Sequence, residues 1–249
     1  MESQSDNATL VERLFKAGAH FGFSKSRRHP SFVRHIFGSK NSNDIIDLEK
    51  TAVALSAAKT FVEKMGRDGK NILIAGTKPE VRSFVEEQAK KAGIAYVTER
   101  WVGGLLTNFH QMRKRVERLE KLEDEKAKGA LDVYTKKERL GIDEEIRALE
   151  HMFNGIRTLK QLPDLVFIVD SRHEETALLE ARKLGIPVVA LSGSDCDVSK
   201  IAYPIPANDS VLQSITFFVE EILSAFKRGR EEFQLKGKTE VQAAPKETK

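Results

Sequence analysis

Cysteine is almost missing from this chain. Cys196 stands alone among 249 residues, which excludes a disulfide framework and any zinc site built from cysteines. Tryptophan is as scarce, with Trp101 the single copy, and aromatic residues make up 7%. No apolar run approaches the ~20 residues that a membrane-spanning helix needs. The first 25 residues carry Glu2, Asp6 and Glu12 and no long apolar stretch, so neither a secretory signal nor a transit peptide is expected there. These absences predict a cytoplasmic protein with no membrane partner. The phosphate-cradle motifs are missing too: there is no GxxxxGK followed by Ser or Thr, and no GxGxxG after a strand-like run.

Charge is what the chain has in quantity. Charged residues are 31%, hydrophobic residues 40%, and mean hydropathy is −0.38, which describes a real core under a well-solvated surface. The net charge of +4 is unevenly spread. Residues 1–40 hold seven Lys/Arg against three acids, 161–226 four against ten, and 227–249 seven against four. A basic head suits a polyanion, and an acidic face suits basic partners, although a mixed solvated surface gives the same counts.

Along the chain, residues 8–18 read as a short amphipathic helix with Leu10, Leu14 and Ala17 on one face, closed by Gly18. The stretch from His20 to Asn41 mixes Gly, Pro, Ser, Phe and His with Lys25, Arg27, Arg28, Arg34 and Lys40, and reads as irregular. A helix is expected over 49–68. Short apolar runs then alternate with helices: strands at 71–76, 94–98, 165–170, 186–191 and near 202–205, helices at 79–92, near 174–184 and about 209–228. That alternation predicts an α/β fold, a doubly wound (flavodoxin- or Rossmann-like) parallel sheet of about five strands. Between 108 and 162 it is interrupted. Phe109, Met112, Val116, Leu119 and Leu122, then Ile142, Ile146, Leu149, Phe153, Ile156 and Leu159, step by three and four on either side of Gly129. Two matched stripes around a turn describe a protruding antiparallel helical hairpin, its second helix opened by a Thr135–Glu138 capping box. The expected divisions are a head over 1–48, a sheet domain over 49–107 and 163–228, the hairpin over 108–162, and a disordered tail over 229–249.

Candidate chemistry is thin. GTKPE at 76–80 opens a helix N-terminus, which can present backbone N–H groups to a phosphate, but an ordinary βα turn with Pro79 near the helix start is the favoured reading. In WVGGLLTNF (101–109), Trp101 offers a flat face, Asn108 is placed to cap the next helix with Gln111 answering, and Arg113, Lys114, Arg115 and Arg118 follow as a basic patch. Asp170, His173, Glu174, Asp195 and Asp197 follow the third and fourth strands, where doubly wound sheets bind ligands. A metal- or nucleotide-dependent enzyme using Asp170, His173 and Asp195 is therefore an alternative, but no activated nucleophile or metal-ligand spacing accompanies them. A protein-only adaptor acting through the hairpin is a third reading.

LFKAGAHFG (14–22), IFGSKNSNDIIDLEKT (36–51), ILIAGTK (72–78), RWVGGLLTNF (100–109), LPDLVFIVDSRHE (162–174) and LGIPVVAL (184–191) stand in order. Together they resemble the family of small-subunit ribosomal protein two, in its bacterial form with a coiled-coil insertion. The likeness covers about residues 8–228. Three positions depart from the family pattern: Phe23 for His, Ser192-Gly193-Ser194 for Asp-Thr-Asn, and Arg172 for Asp. The last two weaken a cation site at the strand ends. The resemblance implies a structural constituent of the small ribosomal subunit, not an enzyme and without a cofactor. It implies contact with ribosomal RNA at the head–body junction and with neighbouring ribosomal proteins, including the first, messenger-recruiting protein. Expected RNA contacts are Lys25, Arg27, Arg28, Arg34 and Lys40, with Trp101, Asn108, Arg113 and Lys114 at the hairpin base. Residues 161–226 are the expected protein-docking face.

Overall fold

The computed structural model describes residues 2–243, with side chains over 9–235. The first helix, α1, runs Glu2–Lys16 and buries Leu14. The stretch expected to be irregular instead forms a small antiparallel sheet of β1 (Phe21–Ser24), β2 (Ile36–Lys40) and β3 (Asn43–Ile46), in the order β1-β3-β2. Its hairpin turns on Asn41 and Ser42, at φ 51° and 65°, the left-handed pair that lets a two-residue loop follow the strand twist. Asp47 then opens α2 (Leu48–Arg67), accepting from the backbone N–H of Glu49 and Lys50 at 3.1 and 3.3 Å.

The main sheet contains β4 (Ile72–Ala75), β5 (Ala95–Val97), β6 (Leu165–Val169), β7 (Val188–Ser192) and β8 (Tyr203–Pro206), all parallel, in the order β5-β4-β6-β7-β8. This is the flavodoxin-like order, whose strand sequence reverses between β4 and β6. Both faces are covered, which is why the strands read as unbroken apolar runs. Ile72, Ile74, Phe167 and Leu191 face a core shared with α1, α2, α3 (Arg82–Ala92) and α7 (Leu212–Ala243). Leu73, Ala75, Val166 and Ile168 face a second core built by α6 (Glu175–Lys183), the 101–106 loop and the hairpin.

The hairpin pairs α4 (Phe109–Ala127) with α5 (Lys136–Phe153), and the capping box at Thr135 and Glu138 is present. Val116, Leu119 and Leu122 are buried with Ile146, Leu149 and Phe153. Across the outer surface Arg157 grips Glu123 with two bonds of 2.6 and 2.7 Å.

The expected disordered tail is corrected for its described part. The last helix, α7, runs from Leu212 to Ala243 without stopping at 228; residues 244–249 lie outside the described residues. Composition misled because residues just beyond 228 have partners far back in the sequence. Gly229 lies against the backbone of Glu63 and Arg67, Arg67 Nε pairs with Glu232 at 2.7 Å, and the Phe233 ring closes over Gly69.

Candidate nucleic-acid interface

In a parallel sheet all carboxyl ends share one edge, and both basic segments attach there. The head is tied to the loops after β7 and β8: His29 N–H donates to Ser194 O at 2.9 Å, Phe23 N–H to Ser194 Oγ at 2.8 Å, and Asn208 N–H to Ala19 O at 3.0 Å. The hairpin leaves from the loop after β5.

The five head cations have different positions. Lys25, Arg34 and Lys40 are exposed and form no salt bridge among the described residues; Arg34 Nε meets only His35 Nε2, at 3.1 Å. Arg27 is 54% exposed, lies over the Phe23 ring and reaches Asp195 at 3.2 Å. Arg28 is turned inward. Its Nε donates to Asp44 Oδ2 at 2.6 Å, its Nη2 to Asp44 Oδ1, and Asp44 is 1% exposed. The Arg28 guanidinium therefore holds the Asp44 carboxyl below its ordinary pKa, against the opposing effect of burial. Arg28→Ala is expected to cost about 3 kcal/mol, because it leaves a buried carboxylate unpaired. The check is chemical denaturation at pH 7 and at low pH. The Asp44 contribution is present above the ordinary aspartate pKa and is lost as pH falls through the depressed one, so the variant and the parent should converge in acid.

At the hairpin root the structure differs from the expectation in three side chains. Trp101 is 8% exposed and presents no free face. Asn108 sits at the start of α4 and is exposed, but its side chain makes no capping hydrogen bond; its carbonyl accepts from Gln111 N–H at 3.0 Å. Arg113 is half-buried, its Nη1 donating to Arg157 O at 3.0 Å. Lys114 and Arg115 are exposed without a salt bridge among the described residues.

What holds this root is a residue the motif reading missed. Glu180, on α6, accepts from Trp101 Nε1 at 3.2 Å, Gly104 N–H at 2.7 Å, Leu106 N–H at 2.9 Å, and Thr107 N–H and Oγ1 at 3.0 and 3.2 Å. A faint signal existed: Ala177, Glu180, Ala181 and Leu184 step by three and four, which puts an acid on an apolar stripe.

The strand-end acids are met by the chain's own cations. Asp170, held at φ 66°, receives Lys78 Nζ at 2.5 Å, in the crevice where the strand order reverses. Asp195 receives Arg27 and also Arg172, at 2.6 Å. Asp170, Cys196 and Asp209 offer ligand atoms within 4.8 Å of one another, but Lys78 already binds both Asp170 and the Asp209 carbonyl, the latter at 2.6 Å. Burial, with the Asp170 charge beside it, pushes the Asp209 carboxyl up. Burial likewise pushes the Cys196 thiol up and makes it a poor nucleophile. His173 lies exposed outside this cluster. The acidic surplus of 161–226 is also largely spent inside the fold. Glu174 accepts from Thr77, Asp197 pairs with Lys200 at 3.1 Å, and Glu221 is held by Lys59 and by Arg13 at 2.8 Å.

The geometry defines a class: an α/β platform whose carboxyl edge carries a cationic head and a helical arm, its strand-end acids neutralised from within. Residues 14–229 match the family described as ribosomal protein S2. Among curated relatives, "Small ribosomal subunit protein uS2" of Dictyoglomus turgidum is 40% identical over 222 residues, 89% of this chain and 90% of its own length. The protein of the same name from Nitratiruptor sp. is 41% identical over 237 residues, covering 94% and 89%. That of Geotalea uraniireducens is 37% identical over 238 residues, covering 96% and 93%. The chain belongs to the ribosomal protein S2 family, in its bacterial form. No helix among the described residues is long and apolar enough to cross a membrane.

Proposed function

We propose that this chain is a structural constituent of the small ribosomal subunit that binds ribosomal RNA through the carboxyl edge of its sheet, at the junction of head and body. The observation that carries the reading is the attachment of both basic segments to that one edge, with Lys25, Arg34, Lys40 and Lys114 exposed and without a salt bridge among the described residues. Arg27 adds to this surface. Arg28, Arg113 and Trp101 act behind it, as supports for the residues in front. Phosphate contacts of this kind position a protein on RNA and carry little sequence information.

A second surface favours protein contact. Phe15, Phe21 and Phe37 are 60%, 58% and 80% exposed. Phe15 stacks on His20, and the two line a groove of about 290 Å³ with Phe37 and Ile45, while Phe21 packs against His20 outside it. Adjacent exposed rings of this size mark a docking site, and here the first small-subunit protein is the occupant. This site replaces the acidic face expected over 161–226.

Sedimentation tests the reading. The chain should travel with small subunits in a sucrose gradient at low salt and leave them as salt rises; a position at the top of the gradient under all conditions overturns it. Replacing Lys25, Arg34 and Lys40 together by Ala should lower the slope of log affinity against log salt by about 2–3, since each lost phosphate contact removes about 0.7–0.9. Folding should be unaffected. An unchanged slope would exclude the head as the RNA-facing surface.

A further inference from the structure

A cleft of about 410 Å³ lies between the head and the loops that follow β6 and β7. Its apolar lining is Pro30, Leu178 and Leu179, of which Leu178 is buried while Pro30 and Leu179 are exposed, Leu179 by 49%. Its walls are Arg27 and Arg172, whose guanidiniums converge on the same oxygen, Asp195 Oδ2, at 3.2 and 2.6 Å. Both side chains are more than half exposed, while Asp195 is nearly covered. A guanidinium has five N–H donors, so most of those facing the cleft remain unspent. Lys200 and His29 at the rim are met by Asp197, at 3.1 and 3.9 Å. Glu175 is exposed and forms no salt bridge among the described residues.

Arg28, which also lines the cleft, is neutralised by Asp44; the remaining cations Arg27, Arg172 and Lys200 are matched in number by Asp195, Asp197 and Glu175, and a small anion would find no surplus charge. What suits it is a neutral, flat group with apolar faces and an edge of hydrogen-bond donors and acceptors. We propose that the cleft receives one unpaired nucleobase of RNA, its face on Leu179 and Pro30 and its edge bonded by Arg172 and Glu175. Arginine planes and apolar floors are the surfaces on which unstacked bases settle, and a base inside a duplex has no free face to offer. Lys25 lies two residues before Arg27, so a backbone held by the head is already beside the cleft mouth. The inference rests on the RNA-binding reading above and adds to it a single-nucleotide site.

The test uses the full chain rebinding to small subunits depleted of it. Leu179→Gln, a neutral change at a half-exposed position that removes the leucine's apolar contact with the base, should weaken rebinding roughly ten-fold with the salt slope and the thermal midpoint unchanged. Unchanged affinity, or a loss that comes with a changed slope, overturns the proposal. In parallel, p-benzoylphenylalanine is placed at position 179 and, in a second sample, at position 40. Irradiated particles should show a crosslink from 179 to one nucleotide in a loop or bulge. A crosslink from 179 to protein, or only to paired nucleotides, overturns the site. RNA crosslinks from 40 without any from 179 overturn the site alone, and none from either position overturns the RNA-binding reading itself.

Discussion

Glu180→Ala is expected to destabilise the protein by about 3 kcal/mol and to loosen the root of the hairpin more than any other part. The substitution leaves the indole N–H of Trp101, the backbone N–H groups of Gly104, Leu106 and Thr107, and the Thr107 hydroxyl without their acceptor. Each orphaned donor that water cannot reach costs about 1–3 kcal/mol. Removing a buried charge returns part of that sum, and Thr107 lies near solvent. Hydrogen exchange should therefore accelerate across 101–107 while β6 and β7 stay protected. Burial alone would raise the Glu180 pKa, but the backbone bonds from Thr107, Gly104 and Leu106 outweigh it and hold the carboxyl below the ordinary glutamate value. The Glu180 contribution is complete above that ordinary value and disappears as pH falls through the depressed one. Acid should thus narrow the gap between the parent and Glu180→Ala. Glu180→Gln keeps one acceptor oxygen and should fall between them. Equal exchange rates across 101–107 in all three proteins would mean that Glu180 does not hold the loop.

The second large effect is expected where α2 crosses α7. A Cβ on Gly66 would stand 2.5 Å from Phe226 O, and one on Gly229 would strike Glu63 O and stand 2.9 Å from Arg67 N. These neighbours are helix backbone and have no rotamer by which to yield. Gly229→Ala should cost roughly 3 kcal/mol, the upper end of overpacking penalties, even though alanine is the better helix former by about 1 kcal/mol. Gly141→Ala is the internal control. Gly141 lies in α5 with nothing within 4 Å of its missing Cβ, so there the propensity gain should appear as added stability of about 0.5–1 kcal/mol. Thermal or urea unfolding of the two variants separates the effects by sign. Because Gly229 opens the stretch that continues to Ala243, its substitution should also expose 229–235 to proteolysis.

Several features were legible because their cause is local. Unbroken apolar runs such as ILIA and LVFIV mark strands covered on both faces, and every residue of β4 and β6 is buried. Stripes at three and four marked the hairpin, and Thr135 with Glu138 marked its second start. The turn at Asn41 and Ser42 is also local, but the Gly, Pro and Ser of residues 20–41 suggest irregular chain and hide the small sheet that it joins. The candidate interface was harder. Arg27 is 168 residues from Asp195, Trp101 is 79 from Glu180, and Arg113 is 44 from the carbonyl of Arg157. No window along the chain spans those distances.

By itself, the sequence determined the strands, the helices, the hairpin and the excess of positive charge in the head, because side-chain periodicity and composition act within a few residues. Only the tertiary structure decided which charges are free. A cation's availability depends on whether folding brings an acid to it. Arg28 is salt-bridged to the buried Asp44, whereas Lys25, Arg34 and Lys40 form no salt bridge among the described residues. The same closure set Arg27 and Arg172 on one carboxylate and made the cleft beside them, a feature that belongs to neither segment alone.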